Sequence, residues 1–183
     1  MKRREVLKNS ATFIGFSAAL PGLVGLLDSC TPATADWAPK ALNADQGNAL
    51  RAAIDVIVPK TATPSASELG VHHFIDDMLS VIYKEEKRKK FADGLDYLNK
   101  KAKDEHGDLY AACDNEDQVS LMRDLEKESK SGENDFFSSL RSLTQSGYQR
   151  TELVCKEVFR HVEIPGKWEP CVALQPGQPR WIE

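Results

Sequence analysis

The clearest helical signal in the chain is the stretch VHHFIDDMLSVI, residues 71–82. Its apolar side chains recur at the three- and four-residue spacing of one helix face, at Val71, Phe74, Ile75, Met78, Leu79 and Ile82. Asp76 and Asp77 fall off this stripe, which predicts a solvated face for both carboxylates. The neighbours His72 and His73 point in different directions from a helix, so they cannot clamp one metal ion. One is expected at the surface and the other at a helix contact.

Similar spacing on either side of this stretch predicts further helices. They are expected at about residues 44–58, at 84–103, from 115, from 134, and at 149–160. Because no convincing strand alternation and no internal repeat occur, the predicted fold is all-α, a compact bundle of about five or six helices. Gly94 lies inside one predicted helix, where glycine costs about 1 kcal/mol relative to alanine. A close helix crossing would account for it.

Several residues mark the expected helix ends. Asn43 can accept hydrogen bonds at the start of the first helix, and Pro59 ends that helix because proline cannot continue the ladder. Ser67 is predicted to cap the helix at 71–82. Asn115 and Gln118 have the spacing of a capping box for the helix that begins there.

The N-terminal thirty residues have the pattern of an export signal. The pair Arg3-Arg4 precedes an uncharged run that ends at Cys30. The pair resembles the twin-arginine signal, and the final residues resemble a lipoprotein processing box, in which Cys30 receives lipid. We therefore predict a signal peptide at residues 1–29 and a flexible tether at 30–42. A helical domain at 43–183 would then lie in the periplasm, held to a membrane by the lipid.

The C-terminal segment IPGKWEPCVALQPGQPRWIE, residues 164–183, is rich in proline and carries two tryptophans. It is predicted to be an irregular arm. An oxidising compartment permits one disulfide among Cys113, Cys155 and Cys171. The sequence does not choose the pair. Cys155 with Cys171 is favoured because Pro165-Gly166 would turn the chain back between them, and a structural zinc site is the alternative.

Charge and motifs exclude several classes of function. The chain has 24 Lys+Arg and 28 Asp+Glu, and without residues 1–29 it has 20 and 26, so a nucleic-acid partner is not expected. The basic run KEEKRKK, residues 84–90, is interleaved with glutamate and is interpreted as a solvated helix start, with contact to anionic lipid as the alternative. No dinucleotide, phosphate-loop, zinc-protease or haem motif occurs. We therefore expect no catalytic, cofactor-binding or metal-binding residue in this chain.

Four segments resemble one known family. They are LRAAIDVIVPKTATPSASELGVHHFIDDML at 50–79, FADGLDYLNKKA at 91–102, FFSSLRSLTQSGY at 136–148 and IPGKWEPC at 164–171. They are similar to the small subunit of bacterial flavin-dependent sugar dehydrogenases, the gluconate 2-dehydrogenase subunit 3 family. The shared motifs are structural rather than catalytic.

The resemblance implies a partner. In that family the large subunit is a flavoprotein of the glucose-methanol-choline type that holds FAD and oxidises a sugar or sugar acid, and a cytochrome c subunit often accepts the electrons. The small subunit is needed for export and maturation of the large one, which commonly has no signal of its own.

Two surfaces are predicted to contact the partner. One is the loop after the first helix, with Pro59, Thr61 and Pro64, and the other is the arm, with Pro165, Gly166 and Trp168. Two other hypotheses stay open from the sequence. The chain would be a free-standing periplasmic lipoprotein that binds a ligand or an envelope protein, or an enzyme in its own right.

Overall fold

The helices of the chain follow its apolar spacing closely. In the computed structural model, residues 37–132, 134–161, 166, 171, 173, 176–179 and 181–182 are described. The helices are α1 (Ala44–Ile57), α2 (Val71–Asp77), α3 (Glu85–His106), α4 (Asn115–Ser131) and α5 (Phe136–Gln149). A π-helical turn at Met78–Ile82 continues α2, a 3₁₀ turn spans Tyr110–Ala112, and a second π-helical turn spans Val154–Val158. The predicted all-α bundle is confirmed.

Helix α1 lies at the centre of the bundle. Asn43 Oδ1 accepts from Gln46 N at 2.8 Å, as predicted, and Gln46 Oε1 also accepts from Asn43 N at 3.0 Å, so a complete capping box starts the helix. The helix contacts each of α2, α3, α4 and α5. Its inward residues have no exposed surface, namely Ala49, Leu50, Ala53 and Ile54.

The described residues from Ala38 onward form one compact unit. Every buried apolar residue that the structure describes lies between Leu42 and Val154. The unit at 38–183 therefore has a complete hydrophobic core of its own and is expected to fold without residues 1–37.

The end of α2 differs from the sequence prediction. Tyr83 N donates to Met78 O at 2.9 Å, a bond across five residues, so the last turn is wider than an α-helical one. The extra width rotates the end of the apolar stripe away from the core. Ile82, predicted to face inward, is 64% exposed, and Val81 beside it is 76% exposed.

The predicted solvated face of α2 is wrong for Asp76. This carboxylate is buried, because it accepts from Lys40 N at 2.8 Å and from Ala41 N at 3.0 Å and so anchors the segment that enters α1. Asp77 is exposed as predicted and pairs with Lys40 Nζ at 2.6 Å. The two histidines also divide as expected, with His72 buried and His73 exposed.

Two predicted caps are absent because their side chains find other partners. Ser67 bonds to Asp55 of α1, and α2 instead begins after Gly70, whose φ of 73° suits glycine. Gln118 Nε2 donates to Tyr110 O at 3.1 Å and Cys113 O at 3.0 Å, which holds the 3₁₀ turn against α4. It forms no capping box with Asn115.

The predicted sixth helix at 149–160 is shorter than its apolar spacing indicates. Helix α5 ends at Gln149, and a short helical run at 152–158, which ends in the π-helical turn, follows it. The backbone of Arg160–His161 then pairs in parallel with that of Trp181–Ile182, which are the only strands among the described residues. The end of the arm thus returns to the residues that precede the arm.

The close crossing predicted at Gly94 is confirmed. A Cβ placed there would overlap the ring of Phe136 and lie 2.9 Å from Phe136 Cβ, and that ring packs edge-on against Phe91 at 5.2 Å between centroids.

Changing Gly94→Ala is therefore expected to lower the free energy of unfolding by about 2 kcal/mol, because the overlap outweighs the gain in helix propensity. Urea denaturation measures this loss. In a Phe136→Ala background the same change should cost far less, and an equal cost in both backgrounds would contradict the assigned contact.

Candidate functional site

The loop that follows α1, residues 58–64, is fixed from two neighbouring elements while its tip stays exposed. Tyr148 Oη at the end of α5 lies 2.8 Å from Thr63 Oγ1 and 3.2 Å from Pro64 O. Lys60 Nζ pairs with Glu68 at 2.7 Å. Pro59 and Thr61 are exposed, and Pro64 is half-buried. The loop thus presents a preformed surface, which lowers the entropy lost when a partner binds.

Behind this loop a buried polar cluster joins it to α1. Asp55 accepts from Ser67 N at 2.8 Å and from Ser67 Oγ at 2.5 Å. Ser65 Oγ lies 3.4 Å from Ser67 Oγ, and both serines are buried. Ser67 therefore holds the loop to α1 from within.

His72 lies beside this cluster, at the start of α2. Its burial, together with the nearby positive charges of His73 and Arg51, lowers the pKa of His72 from 6.5 to about 4. Asp55 and Asp76 act in the opposite direction but do not reverse the shift. The imidazole is therefore neutral in the native protein at neutral pH.

This difference in pKa predicts a loss of stability in mild acid. The unfolded chain binds a proton at His72 below about pH 6.5, whereas the folded chain does so only near pH 4. The contribution of the neutral imidazole is thus complete above pH 6.5 and falls as the pH drops toward 4, by at most about 3 kcal/mol. Urea denaturation across this range should show the loss. His72→Gln should remove this part of the pH dependence and His73→Gln should retain it; equal profiles in both variants would contradict the assignment.

A groove adjoins the loop on the side of α4 and α5. It has a volume of about 360 Å³ and is lined by Val56, Ile57, Val119, Met122, Arg123, Glu126, Phe137, Arg141 and Gln145. A second depression of about 270 Å³ shares four of these residues and continues it along α5. Since Ile57 precedes Pro59 by only two positions, the groove and the 58–64 loop form neighbouring parts of one surface.

The groove combines apolar side chains with two arginines and Glu126. In the described part of the chain, neither Arg123 nor Arg141 forms an ion pair, whereas Glu126 is engaged by Lys130 at 2.9 Å. Arginine and aromatic residues are enriched at the centres of protein interfaces, and a guanidinium binds a carboxylate with two parallel hydrogen bonds. This groove is therefore suited to an apolar protein segment that carries carboxylates.

A larger open depression, about 500 Å³, lies between α1 and the 3₁₀ turn. Its lining sets Arg51 between Asp45 and Asp55, so it presents no single sign of charge. Within the described ranges, no three His, Cys, Asp or Glu side chains are arranged to hold a metal ion. No helix in those ranges is both long enough and apolar enough to cross a bilayer.

The remaining predicted site residues divide between described and undescribed parts of the chain. Gly166 and Cys171 are exposed. Arg3, Arg4, Cys30, Pro165 and Trp168 lie outside the described residues.

The three described cysteines, Cys113, Cys155 and Cys171, are free thiols, so the expected bond between Cys155 and Cys171 is not formed in the structure. Cys155 Sγ instead lies 3.1 Å from Gln149 O, at the end of α5.

The groove arginines were not predicted from the sequence. A usable signal exists for Arg141, since no acidic residue lies three or four positions from it along α5. Arg123 has Glu126 three positions ahead, and only the structure shows that Glu126 pairs with Lys130 instead.

Comparison with known proteins identifies the chain by family. No curated protein and no solved structure matches it. The model of the family described as gluconate 2-dehydrogenase subunit 3 matches residues 44–166, from the first residue of α1 to the start of the arm. The matched region contains the 58–64 loop and the whole groove. The chain therefore belongs to the gluconate 2-dehydrogenase subunit 3 family.

Proposed function

We propose that this chain is the non-catalytic small subunit of a periplasmic, FAD-dependent dehydrogenase that oxidises a sugar or sugar acid. The observation that carries the proposal is the family match over residues 44–166. In this proposal the catalytic subunit is a large flavoprotein of the glucose-methanol-choline type, and the small subunit supports its export, maturation and stability. A cytochrome c subunit would accept the electrons.

The mode of export gives the pairing a physical reason. Flavin is inserted in the cytoplasm, so a flavoprotein must cross the membrane already folded, and the twin-arginine route carries folded proteins. Arg3 and Arg4 of this chain would supply the signal for both proteins. Lipid attached to Cys30 would then hold the complex at the membrane, since buried acyl chain contributes about 0.8 kcal/mol per CH₂ group.

The flavin is assigned to the partner. A dinucleotide needs a site that favours its phosphates, such as a glycine-rich turn at a helix start. The open depression between α1 and the 3₁₀ turn instead presents Asp45 and Asp55 on either side of Arg51. Such carboxylates would repel phosphate, which supports a role for this chain in binding protein rather than cofactor.

The 58–64 loop and the groove are proposed as the contact surface for the flavoprotein. The loop offers a fixed, exposed tip, and the groove offers Phe137 between Arg123 and Arg141. The segment that binds there would carry apolar residues and carboxylates. Pro165, Gly166 and Trp168 of the arm are proposed to extend the contact.

Affinity purification from the native host tests this function. The chain, tagged at its C-terminus, should bring down a large protein with the yellow colour and absorbance of bound flavin, and the eluate should reduce a dye when sugar is added. Recovery of the chain alone from the membrane fraction would contradict the proposal and favour a free-standing lipoprotein. Dye reduction by the colourless chain alone would favour an enzyme.

A further inference from the structure

A pair of adjacent apolar side chains, Val81 and Ile82, is exposed at the end of the π-helical turn that continues α2. Val81 is 76% exposed and Ile82 is 64% exposed, the highest values among the large apolar side chains that the structure describes. Val81 lies off the apolar stripe, and the π-helical turn at Met78–Ile82 rotates Ile82, the last residue of the stripe, away from the core. Adjacent exposed aliphatic residues of this kind mark a surface that contacts another apolar phase.

Positive charge follows this pair directly. Residues 84–90, KEEKRKK, carry five cations and two anions in a chain whose net charge is −4. The two glutamates are occupied within the run, Glu85 by Arg88 at 2.5 Å and Glu86 by Lys90 at 3.3 Å.

Three exposed lysines of this run lack a carboxylate partner among the described residues: Lys84, Lys87 and Lys89. The ammonium of Lys87 lies over the ring of Tyr83, 5.8 Å from its centroid.

The positions of these lysines keep them outside the bundle. Lys87 lies four residues before Phe91, on the line of α3 that is buried from Phe91 onward, and Lys84 is the extended residue just before the helix. The first turn of α3 therefore extends beyond the core, and its core-facing line carries lysine instead of apolar residues. Lys84 follows Ile82 by only two positions, so the aliphatic pair and the charges form one continuous surface.

We propose that this surface, residues 81–90, docks on an anionic membrane. Val81 and Ile82 would enter the boundary between headgroups and acyl chains, as the apolar face of an interfacial segment does. Lys84, Lys87 and Lys89 would lie at the level of the lipid phosphates, each contributing to attraction by the negative surface. Residues 81–90 would then orient the domain on the membrane, in addition to the proposed attachment through lipid on Cys30.

The test uses residues 38–183, which contain the whole described core and lack both the signal and the lipid site. Flotation with vesicles of phosphatidylcholine, with and without phosphatidylglycerol, measures the partition coefficient. The wild-type domain should bind the vesicles that contain phosphatidylglycerol, and its binding should fall as salt is added.

Two surface variants, each with a matched control, separate the contribution of the aliphatic residues from that of the lysines. Val81→Ser with Ile82→Ser should lower the partition coefficient about tenfold or more, whereas Leu109→Ser with Val158→Ser, two aliphatic residues exposed elsewhere, should leave it nearly unchanged. Lys84→Gln with Lys87→Gln should lower binding to anionic vesicles by about tenfold or more. Lys100→Gln with Lys103→Gln, the same charge change farther along α3, should have little effect.

Failure of the wild-type domain to bind anionic vesicles would overturn the proposal. Equal losses of vesicle binding in a surface variant and in its matched control variant would overturn it too. So would a Val81→Ser, Ile82→Ser domain that binds vesicles normally but no longer recovers the flavoprotein, because that result would assign the surface to the protein partner. The vesicle measurements do not require the flavoprotein to bind, so the membrane contact can fail while the proposed function stands.

Discussion

Replacing Arg123 and Arg141 by glutamate is expected to weaken binding of the flavoprotein subunit by about 100-fold or more. The two guanidinium groups line the groove and form no ion pair among the described residues, and the nearby Glu126 pairs with Lys130, so both guanidinium groups can bind a partner's carboxylates. Glutamate at both positions would turn attraction for carboxylates into repulsion at the centre of the contact. Both side chains are exposed, so the substitutions should leave the fold intact.

The measurement is a titration of the purified flavoprotein with the wild-type chain and with the variant. Arg123→Lys with Arg141→Lys should lose less affinity, since lysine retains the charge but not the planar pair of donors. Lys100→Glu with Lys103→Glu makes the same charge reversal on exposed positions of α3 and should bind normally. Wild-type affinity in the arginine variant would move the interface away from this groove, although the chain would still be a small subunit.

Sequence reasoning predicted the fold well where the signal was local. Helix α1 begins at a capping box and ends before Pro59 because both features lie within a few residues of the ends they fix. Gly94 could be predicted as a close crossing because glycine inside an otherwise regular helix needs a packing reason.

Side chains that serve distant backbone could not be placed from local patterns. Asp76 is off the apolar stripe, yet it is buried because Lys40 N and Ala41 N need an acceptor, and those groups lie 36 and 35 residues away. Ser67 was predicted to cap α2, but that helix begins three residues later, after Gly70, and Ser67 instead donates to the carboxylate of Asp55. In both cases tertiary contacts determine the hydrogen-bond partner of the side chain.

The candidate site also has parts that local sequence predicts and parts that only tertiary contacts determine. The 58–64 loop could be predicted as ordered from its proline and hydroxyl residues, and Tyr148 supplies the anchor from a distant helix. The groove needs α1, α4 and α5 together, so its residues share no sequence neighbourhood. The exposure of Ile82 depends on a π-helical turn, and the ideal helical spacing used to assign the stripe does not include one.

Conversion of Arg3 and Arg4 to lysine is expected to have the largest effect on the proposed complex in the cell. Arg3→Lys with Arg4→Lys retains the positive charge of the N-terminus but removes the residue pair that the twin-arginine route requires. If one signal serves two proteins, this change should stop export of both. Lys2→Arg with Lys8→Arg changes two other basic residues equally conservatively, retains Arg3-Arg4, and should leave export intact.

The most direct test of the account is therefore the location of the flavoprotein, measured by flavin content and sugar-dependent dye reduction in periplasmic and cytoplasmic fractions. With the Arg3→Lys, Arg4→Lys chain as the sole copy, we expect the folded flavoprotein to be found in the cytoplasm and almost none in the periplasm. Normal amounts of active flavoprotein in the periplasm of those cells would contradict the account.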